Sequence, residues 1–161
     1  MQAVLATATP AGLTTNYTGG FVLYNPVGST VNVAIERVGL AFVLAPAAPA
    51  AFGLATGASV VALAGTLTLL PSKSKLVGSG VQPVAQMYSS SSVTLPVAPS
   101  VDTILGSLGT GAVTTTESMP GMYDLKSAIL LPPGAYAVLW SSTALPASGY
   151  LGSIDWEETS I

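Results

Sequence analysis

The stretch from Ile129 to Trp140 constrains the fold more than any other part of the chain. Its first half is an apolar run that meets Pro132-Pro133-Gly134, and its second half places Tyr136, Val138 and Trp140 at alternate positions. A period of two with aromatic and β-branched residues on one side is typical of a β-strand. Because Pro presets φ and Gly accepts positive φ, the residues between the two runs favour a turn. The stretch therefore predicts an antiparallel corner of an all-β domain.

Two other segments support this interpretation. The segment from Tyr150 to Glu157 also alternates, with Tyr150, Ile154 and Trp156 on one side. Near the start of the chain, residues 20–24 favour a short strand, and residues 25–29 carry the Asn, Pro, Gly and Ser typical of a turn.

The strand that follows this turn changes phase. Its large apolar residues occupy odd positions up to Ile35 and even positions from Val38 onward. A slip of one residue would expose a whole face unless one residue is absorbed in a bulge. We predict a bulge or bend at Glu36-Arg37, with this charged pair directed to solvent or to a subunit edge.

The remaining segments are assigned from turn residues and local patterns. Residues 46–57 are expected to be a long loop or a helical turn, and 60–69 a strand with Val61, Leu63, Leu67 and Leu69 directed inward. Further expectations are an edge strand at 81–88, a polar loop at 89–92, a strand or helical turn at 101–108, a β-favouring stretch at 112–116 and a loop at 118–124.

Many short strands between Gly and Pro turns, without sustained helical periodicity, favour a sandwich or barrel. At this length the usual antiparallel solution is the jelly roll, which occurs in capsid proteins and lectins. We predict an all-β, antiparallel jelly-roll-like sandwich over residues 20–161, preceded by an extended N-terminal arm over residues 1–19.

Composition adds a constraint on the surface. Only 7% of the 161 residues are charged, against roughly 25% in an ordinary soluble domain. Either Ser and Thr cover the surface, or much of it is buried against other subunits. The mean hydropathy of +0.64 favours the second explanation, so we expect an obligate assembly.

Composition alone argues against several classes of function. The net charge is −3 with no basic cluster beyond Lys73 and Lys75, whereas nucleic-acid binding needs a stripe of Lys and Arg. The chain has no Cys and no His, so disulfides, thiolate metal sites and the commonest general base are all missing. We expect no cofactor. The uncharged run from Ala51 to Leu70 is long enough for a membrane span, but its Gly residues interrupt it and its second half also fits a strand.

Paired carboxylates are the one catalytic arrangement that the composition permits. Asp155 and Glu157 share a face of a predicted strand at about 7 Å, within the range of an inverting glycoside hydrolase. The simpler explanation, which we favour, is a solvated acidic edge completed by Glu158. Asp102, Glu117 and Asp124 could contribute to a calcium site, but they lie in separate segments. We expect that the protein is not an enzyme.

The segment at 118–124 carries large apolar residues that suit a contact surface. Met119, Met122 and Tyr123 belong to types favoured in interface cores. An alternative is that the segment folds back to cap one end of the sandwich. Tyr150 and Trp156 are further candidates for partner contacts.

The chain resembles the small jelly-roll decoration or cement proteins and minor virion components of tailed bacteriophages. The residues that carry the resemblance are Gly20–Pro26 with Gly28-Ser29, the turn Leu131–Tyr136, and Gly152–Glu158 at the end. It implies a homotrimer on a capsid or tail, with major capsid or other virion proteins as partners and no catalytic residues. An N-terminal arm reaching a neighbour would fit this group.

A second function remains open from the sequence. The same architecture could serve as a carbohydrate- or receptor-binding module at a fibre tip, which would require exposed aromatic residues in a groove. The candidates are Tyr88, Tyr123, Tyr150 and Trp156. A hydrolase using Asp155 and Glu157 is the third possibility.

Overall fold

The computed structural model describes residues 2–3, 13–17, 20–42, 48–72, 74, 78, 80–109, 121–143 and 150–161. These residues form eleven β-strands and no helix. The strands are β1 (Gln2–Ala3), β2 (Asn16–Tyr17), β3 (Phe21–Tyr24), β4 (Val31–Phe42), β5 (Ala50–Ala58), β6 (Ala64–Leu69), β7 (Gln86–Thr94), β8 (Ser100–Leu108), β9 (Gly121–Leu131), β10 (Ala135–Ser141) and β11 (Tyr150–Ser160).

The strands form two antiparallel sheets, which confirms the predicted all-β, antiparallel class. The four-stranded sheet has the order β1-β11-β4-β9, and the seven-stranded sheet has the order β2-β7-β3-β10-β5-β8 with β6 added on β7. Residues 93 and 94 of β7 pair with both β2 and β6. Therefore β2 and β3 follow one another along one side of β7, and β6 lies along its other side.

Four of the strand pairs are nested in the chain. β1 pairs with β11, β3 with β10, β4 with β9 and β5 with β8. The hairpin of β6 and β7 is inserted between β5 and β8 and extends the seven-stranded sheet. The chain thus pairs its beginning with its end and its middle strands with each other.

The core contains buried residues from both sheets, among them Leu23, Ile35, Phe52, Leu139 and Ile154. Burying these side chains stabilises the sandwich by about 1.5–3 kcal/mol each. A second buried cluster includes the following residues: Tyr17, Val22, Tyr24, Ala55, Val93, Leu95, Tyr136 and Val138. Successive residues of β10 alternate between the two clusters, so this strand is buried on both faces.

The predicted bulge in β4 is confirmed. Arg37 lies opposite Asp155 and Ile35 lies opposite Trp156, which leaves Glu36 as the extra residue. Large side chains are buried at odd positions before the bulge and at even positions after it. Arg37 is exposed, and the half-buried Glu36 accepts a hydrogen bond from the hydroxyl of Ser127.

The two turns that the sequence singles out are joined through Asn25. Its side-chain amide is buried and donates to the carbonyls of Val31 at 2.8 Å and Leu131 at 2.9 Å. Its backbone N–H donates to Ala135, and its carbonyl accepts from Gly134. Because these bonds reach strands β4, β9 and β10, one residue connects both sheets at this end of the sandwich.

Two features of the structure explain why position 134 is a glycine. Its φ is 84°, in the region that favours glycine, and a Cβ atom there would lie 2.2 Å from the carbonyl oxygen of Ser59. The turn chemistry predicted from Pro132-Pro133-Gly134 is therefore reinforced by a close approach of the chain after β5.

The expectation of a loop or helical turn at residues 46–57 is wrong, because residues 50–57 belong to β5. Ala and Gly are poor strand formers by intrinsic preference. Here β5 is held between β10 and β8, and its small residues suit a strand that is packed on both faces. The polar loop expected at 89–92 is also wrong, since these serines lie inside β7.

Other boundaries also differ from expectation. The strand expected at 60–69 begins only at Ala64, and Val61 and Leu69 are exposed at 61% and 58% instead of directed inward. The strand expected at 81–88 begins at Gln86, and residues 121–124 lie in β9 instead of a loop. Residues 101–108 are a strand and not a helical turn. The segments 112–116 and 118–120 lie outside the described residues.

The described parts of the predicted N-terminal arm pair within the same chain. Gln2–Ala3 pairs with β11, and Asn16–Tyr17 pairs with β7. Tyr17 is only 1% exposed, and its hydroxyl donates to the carbonyl of Leu139 at 2.7 Å. These pieces are integral to the two sheets.

Candidate functional site

The residues predicted as partner contacts have different environments. Met122 is 72% exposed on β9, whereas Tyr123 faces the opposite way and packs against the core, with its ring centroid 6.1 Å from that of Phe52. Met119 lies outside the described residues. Of the two described members of this set, Met122 presents its side chain to the surface as a contact residue would.

Tyr150 is part of the core. It is 2% exposed and lies between Phe21 and Phe42, with ring centroids 6.3 and 6.4 Å away. Burial raises the pKa of its phenol well above the usual value, and a hydrogen bond with the backbone of Phe21 opposes this in part. The buried Tyr17 has a raised pKa for the same reason. The prediction that Tyr150 contacts a partner is not supported by this position.

Trp156 is half-buried against the core, and its role is linked to Glu158. The carboxylate of Glu158 accepts from the indole N–H at 3.0 Å and from the backbone N–H groups of Val84 at 3.0 Å and Ala85 at 2.8 Å. Hydrogen bonds to a carboxylate are stronger than neutral ones. Glu158 therefore fixes the entry to β7 against β11, and it is not the solvated edge residue that we expected. No local pattern indicates this role, since the two backbone N–H groups that it binds lie more than seventy residues away.

Asp155 and Glu157 alternate along β11 with the buried or half-buried Ile154 and Trp156. They therefore share the outer face of the four-stranded sheet, and Glu157 is exposed. Neither carboxylate lines either of the two described cavities. Among the described residues, the two carboxylates thus lie on the outer face of the sheet and outside both described cavities.

The calcium hypothesis does not gain a site in the described part of the chain. Asp102 lies on β8 of the seven-stranded sheet and Asp124 on β9 of the four-stranded sheet, while Glu117 is outside the described residues. No group of three or more acidic residues close enough to hold a metal ion occurs among the residues described.

An apolar groove of about 350 Å³ lies on the outer face of the four-stranded sheet. Gly39 and Ala41 of β4 contribute to its lining, with Met122 on one neighbouring strand and Leu151 on the other. A Cβ atom on Gly39 would lie 2.5 Å from the hydroxyl oxygen of Ser153. The glycine at this position therefore allows the side chain of Ser153 to lie close against β4.

Charge is distributed very unequally between the two sheets. Eight charged residues are described, and seven of them lie on β4, β9 and β11: Glu36, Arg37, Asp124, Lys126, Asp155, Glu157 and Glu158. Arg37 lies between Asp124 and Asp155 across the strands. We call β4, β9 and β11 the charged sheet.

The seven-stranded sheet and its described connections carry a single charge, Asp102. Large apolar side chains are nevertheless exposed here, including Val60 at 89%, Val81 at 65% and Ile104 at 55%. We call the described residues 48–72 and 80–109, in which Asp102 is the single charged residue, the uncharged side. Exposed apolar area without charge is the surface character expected of a region that other subunits cover.

The aromatic candidates for a fibre-tip binding groove are half-buried or buried. Tyr88 and Trp156 are half-buried, Tyr123 packs inward and Tyr150 is buried. No aromatic side chain among the described residues is exposed to the extent that Met122 is.

No protein-family model matches the chain, and no curated protein or solved structure matches it significantly. Within the described residues, the chain contains no helix of sufficient length and apolar character to span a membrane.

Proposed function

We propose that the protein is a virion structural protein, a capsid decoration or cement protein that stabilises a shell through its oligomeric interfaces. The observation that carries this proposal is the separation of the charged sheet from the uncharged side. A lone protein in solution would expose Val60, Val81 and Ile104 to water. An assembly that covers them gains about 25 cal/mol for each Å² of apolar surface removed from water.

The architecture supports the proposal. Nested pairs, in which the first strand pairs with the last and the middle strands with each other, are what two interlocked Greek keys produce. We therefore interpret the sandwich as a jelly roll, an architecture used by many capsid domains. The hairpin of β6 and β7 is an addition to its seven-stranded sheet.

The partners follow from the same proposal. Copies of the chain associate through the uncharged side, as the homotrimer that the resemblance to phage decoration proteins implies. The assembly then binds the major capsid protein or another virion protein, and repeated weak contacts on the lattice gain from multivalency. The protein would be made in the host cytoplasm and reside in the virion.

The test compares two matched variants. Ile104→Asp places a charge on the uncharged side, and Leu130→Asp does the same on the charged sheet, where Leu130 is 63% exposed. We expect light scattering to give a multiple of 16.0 kDa for the wild type and for Leu130→Asp, and a smaller mass for Ile104→Asp. In sedimentation with shells of the major capsid protein from the same genome, the wild type and Leu130→Asp should bind the shells, and Ile104→Asp should bind them less.

A monomeric wild type that fails to bind these shells would refute the proposal. Equal behaviour of the two variants would show that the uncharged side is not the interface. For the two alternative functions, no observation in the described residues favours a glycan-binding groove or a catalytic cleft.

A further inference from the structure

The two sheets expose strand edges that differ in how they are protected. The edge strands β8 and β9 carry Asp102 and Asp124, and β11, which β1 covers only at residues 152 and 153, carries Asp155. Charges and Pro on an edge strand prevent pairing with another chain. β6 has the sequence Ala-Gly-Thr-Leu-Thr-Leu, with neither a charge nor a Pro. Among the described edge strands longer than two residues, it is the one without such protection.

β6 is also highly exposed. Five of its six residues are exposed, and the sixth, Leu67, is half-buried against the second cluster. β7 is its only strand partner in the part of the chain that the structure describes. The side of the sheet that carries Leu67 and Leu69 is therefore only partly covered at this edge.

Charge indicates what covers the edge. Two copies of a chain with net charge −3 repel each other when their charged sheets approach. Among the described residues, approach through β6 brings no charged strand residue of one copy near a charged strand residue of the other. A strand that pairs antiparallel with its own copy forms an isologous contact, in which both copies use the same edge.

We propose that β6 pairs with β6 of a second copy of this chain, antiparallel across a two-fold axis, and joins two seven-stranded sheets into one. Leu67 and Leu69 of the two copies then lie side by side and extend the second cluster across the axis. The inference rests on the assembly proposed above and adds the element that forms a contact. It also adds a two-fold contact to the proposed homotrimer, whose three-fold contacts would use other parts of the uncharged side.

The test uses Thr68→Lys, which places a charge on the exposed edge. Thr159→Lys on β11 is the control, since Thr159 is also an exposed strand position but belongs to the charged sheet. Opposed lysines across the axis should raise the dissociation constant of the two-fold contact about 100-fold. We expect light scattering at micromolar concentration to show half the wild-type mass for Thr68→Lys and the full mass for Thr159→Lys.

Circular dichroism checks that both variants keep the wild-type strand content. Amide hydrogen exchange gives a second readout: protection of residues 64–69 should increase with concentration in the wild type and not in Thr68→Lys.

An unchanged mass for folded Thr68→Lys, or a wild type that is monomeric at all concentrations, would overturn the edge pairing. An oligomer that resists Thr68→Lys but dissociates with Ile104→Asp would refute only the role of β6 and leave the decoration function standing. The mass of Thr68→Lys tests the pairing of β6, whereas sedimentation with shells tests the decoration function, so each proposal can fail without the other.

Discussion

Replacement of Asn25 should reveal how strongly the two turns at one end of the sandwich depend on each other. Asn25 is 0% exposed, and its amide holds two carbonyls from different strands. Its side-chain oxygen accepts from the hydroxyl of Ser29 at 2.6 Å. Asn25→Ala removes all three hydrogen bonds without changing any exposed surface.

The magnitude follows from these contacts. Once Asn25 is replaced, the single proton of the Ser29 hydroxyl is released to the carbonyl of Val31, 3.1 Å away, so loss of the amide there costs about 1 kcal/mol. Loss of the same donor at the buried carbonyl of Leu131 costs about 1–3 kcal/mol. Asn25→Ala should therefore lower the free energy of unfolding by about 2–4 kcal/mol, whereas Ser29→Ala should lower it by about 1 kcal/mol.

Asn25→Asp tests the direction of the hydrogen bonds. The shape is retained, but an acceptor oxygen replaces the donor and faces the two carbonyls, so the variant should be less stable at pH 7 than Asn25→Ala. Burial raises the pKa of the introduced carboxyl. The destabilisation is complete above that pKa and should shrink as the pH falls through it.

The assay is urea unfolding at a fixed protein concentration, because subunit association also contributes to stability. The fluorescence of Trp140 and Trp156 reports on both sheets. The reasoning would be refuted if Asn25→Ala cost less than about 0.5 kcal/mol, the effect of an ordinary surface substitution. Equal stability of Asn25→Asp and the wild type at pH 7 would refute it as well.

Two further predictions concern charge and pH. Glu158→Gln should lower the free energy of unfolding by about 1.5–3 kcal/mol, because it weakens the hydrogen bonds that the carboxylate receives from two backbone N–H groups. The control, Glu157→Gln at an exposed position, should change the free energy of unfolding by less than about 0.5 kcal/mol. Equal effects of the two variants in urea unfolding would contradict the role assigned to Glu158. Burial raises the pKa of Tyr17 and Tyr150, and it raises the pKa of Tyr136 to about 12. As the pH rises above 10, the unfolded chain therefore loses its phenol protons before the folded protein does. The stability that these phenols contribute is fully present below pH 10 and is lost as the pH rises further. The three groups together allow a slope of up to about 4 kcal/mol per pH unit above pH 10, measured by alkaline urea titrations; a Tyr136→Phe variant with an unchanged slope would show that this phenol does not contribute.

Local patterns were sufficient to predict the parts of the fold that depend on neighbouring residues. The turns at residues 25–29 and 132–134 are visible because Pro, Gly and Asn restrict the backbone locally. The bulge at Glu36 is visible because a phase change within one strand records it directly. The charge deficit is likewise a property of composition, and it led to the expectation of a covered surface.

Only the tertiary structure decided which segments pair and which faces they bury. β5 is a strand because β10 and β8 flank it, although its Ala and Gly residues have little preference for that conformation. Glu158 and Tyr150 look like surface residues in the sequence, yet one holds the entry to β7 and the other lies in the core. The spacing of Tyr150, Ile154 and Trp156 predicts that they share one face of a strand, but long-range pairing determines what packs against that face and what Glu158 binds.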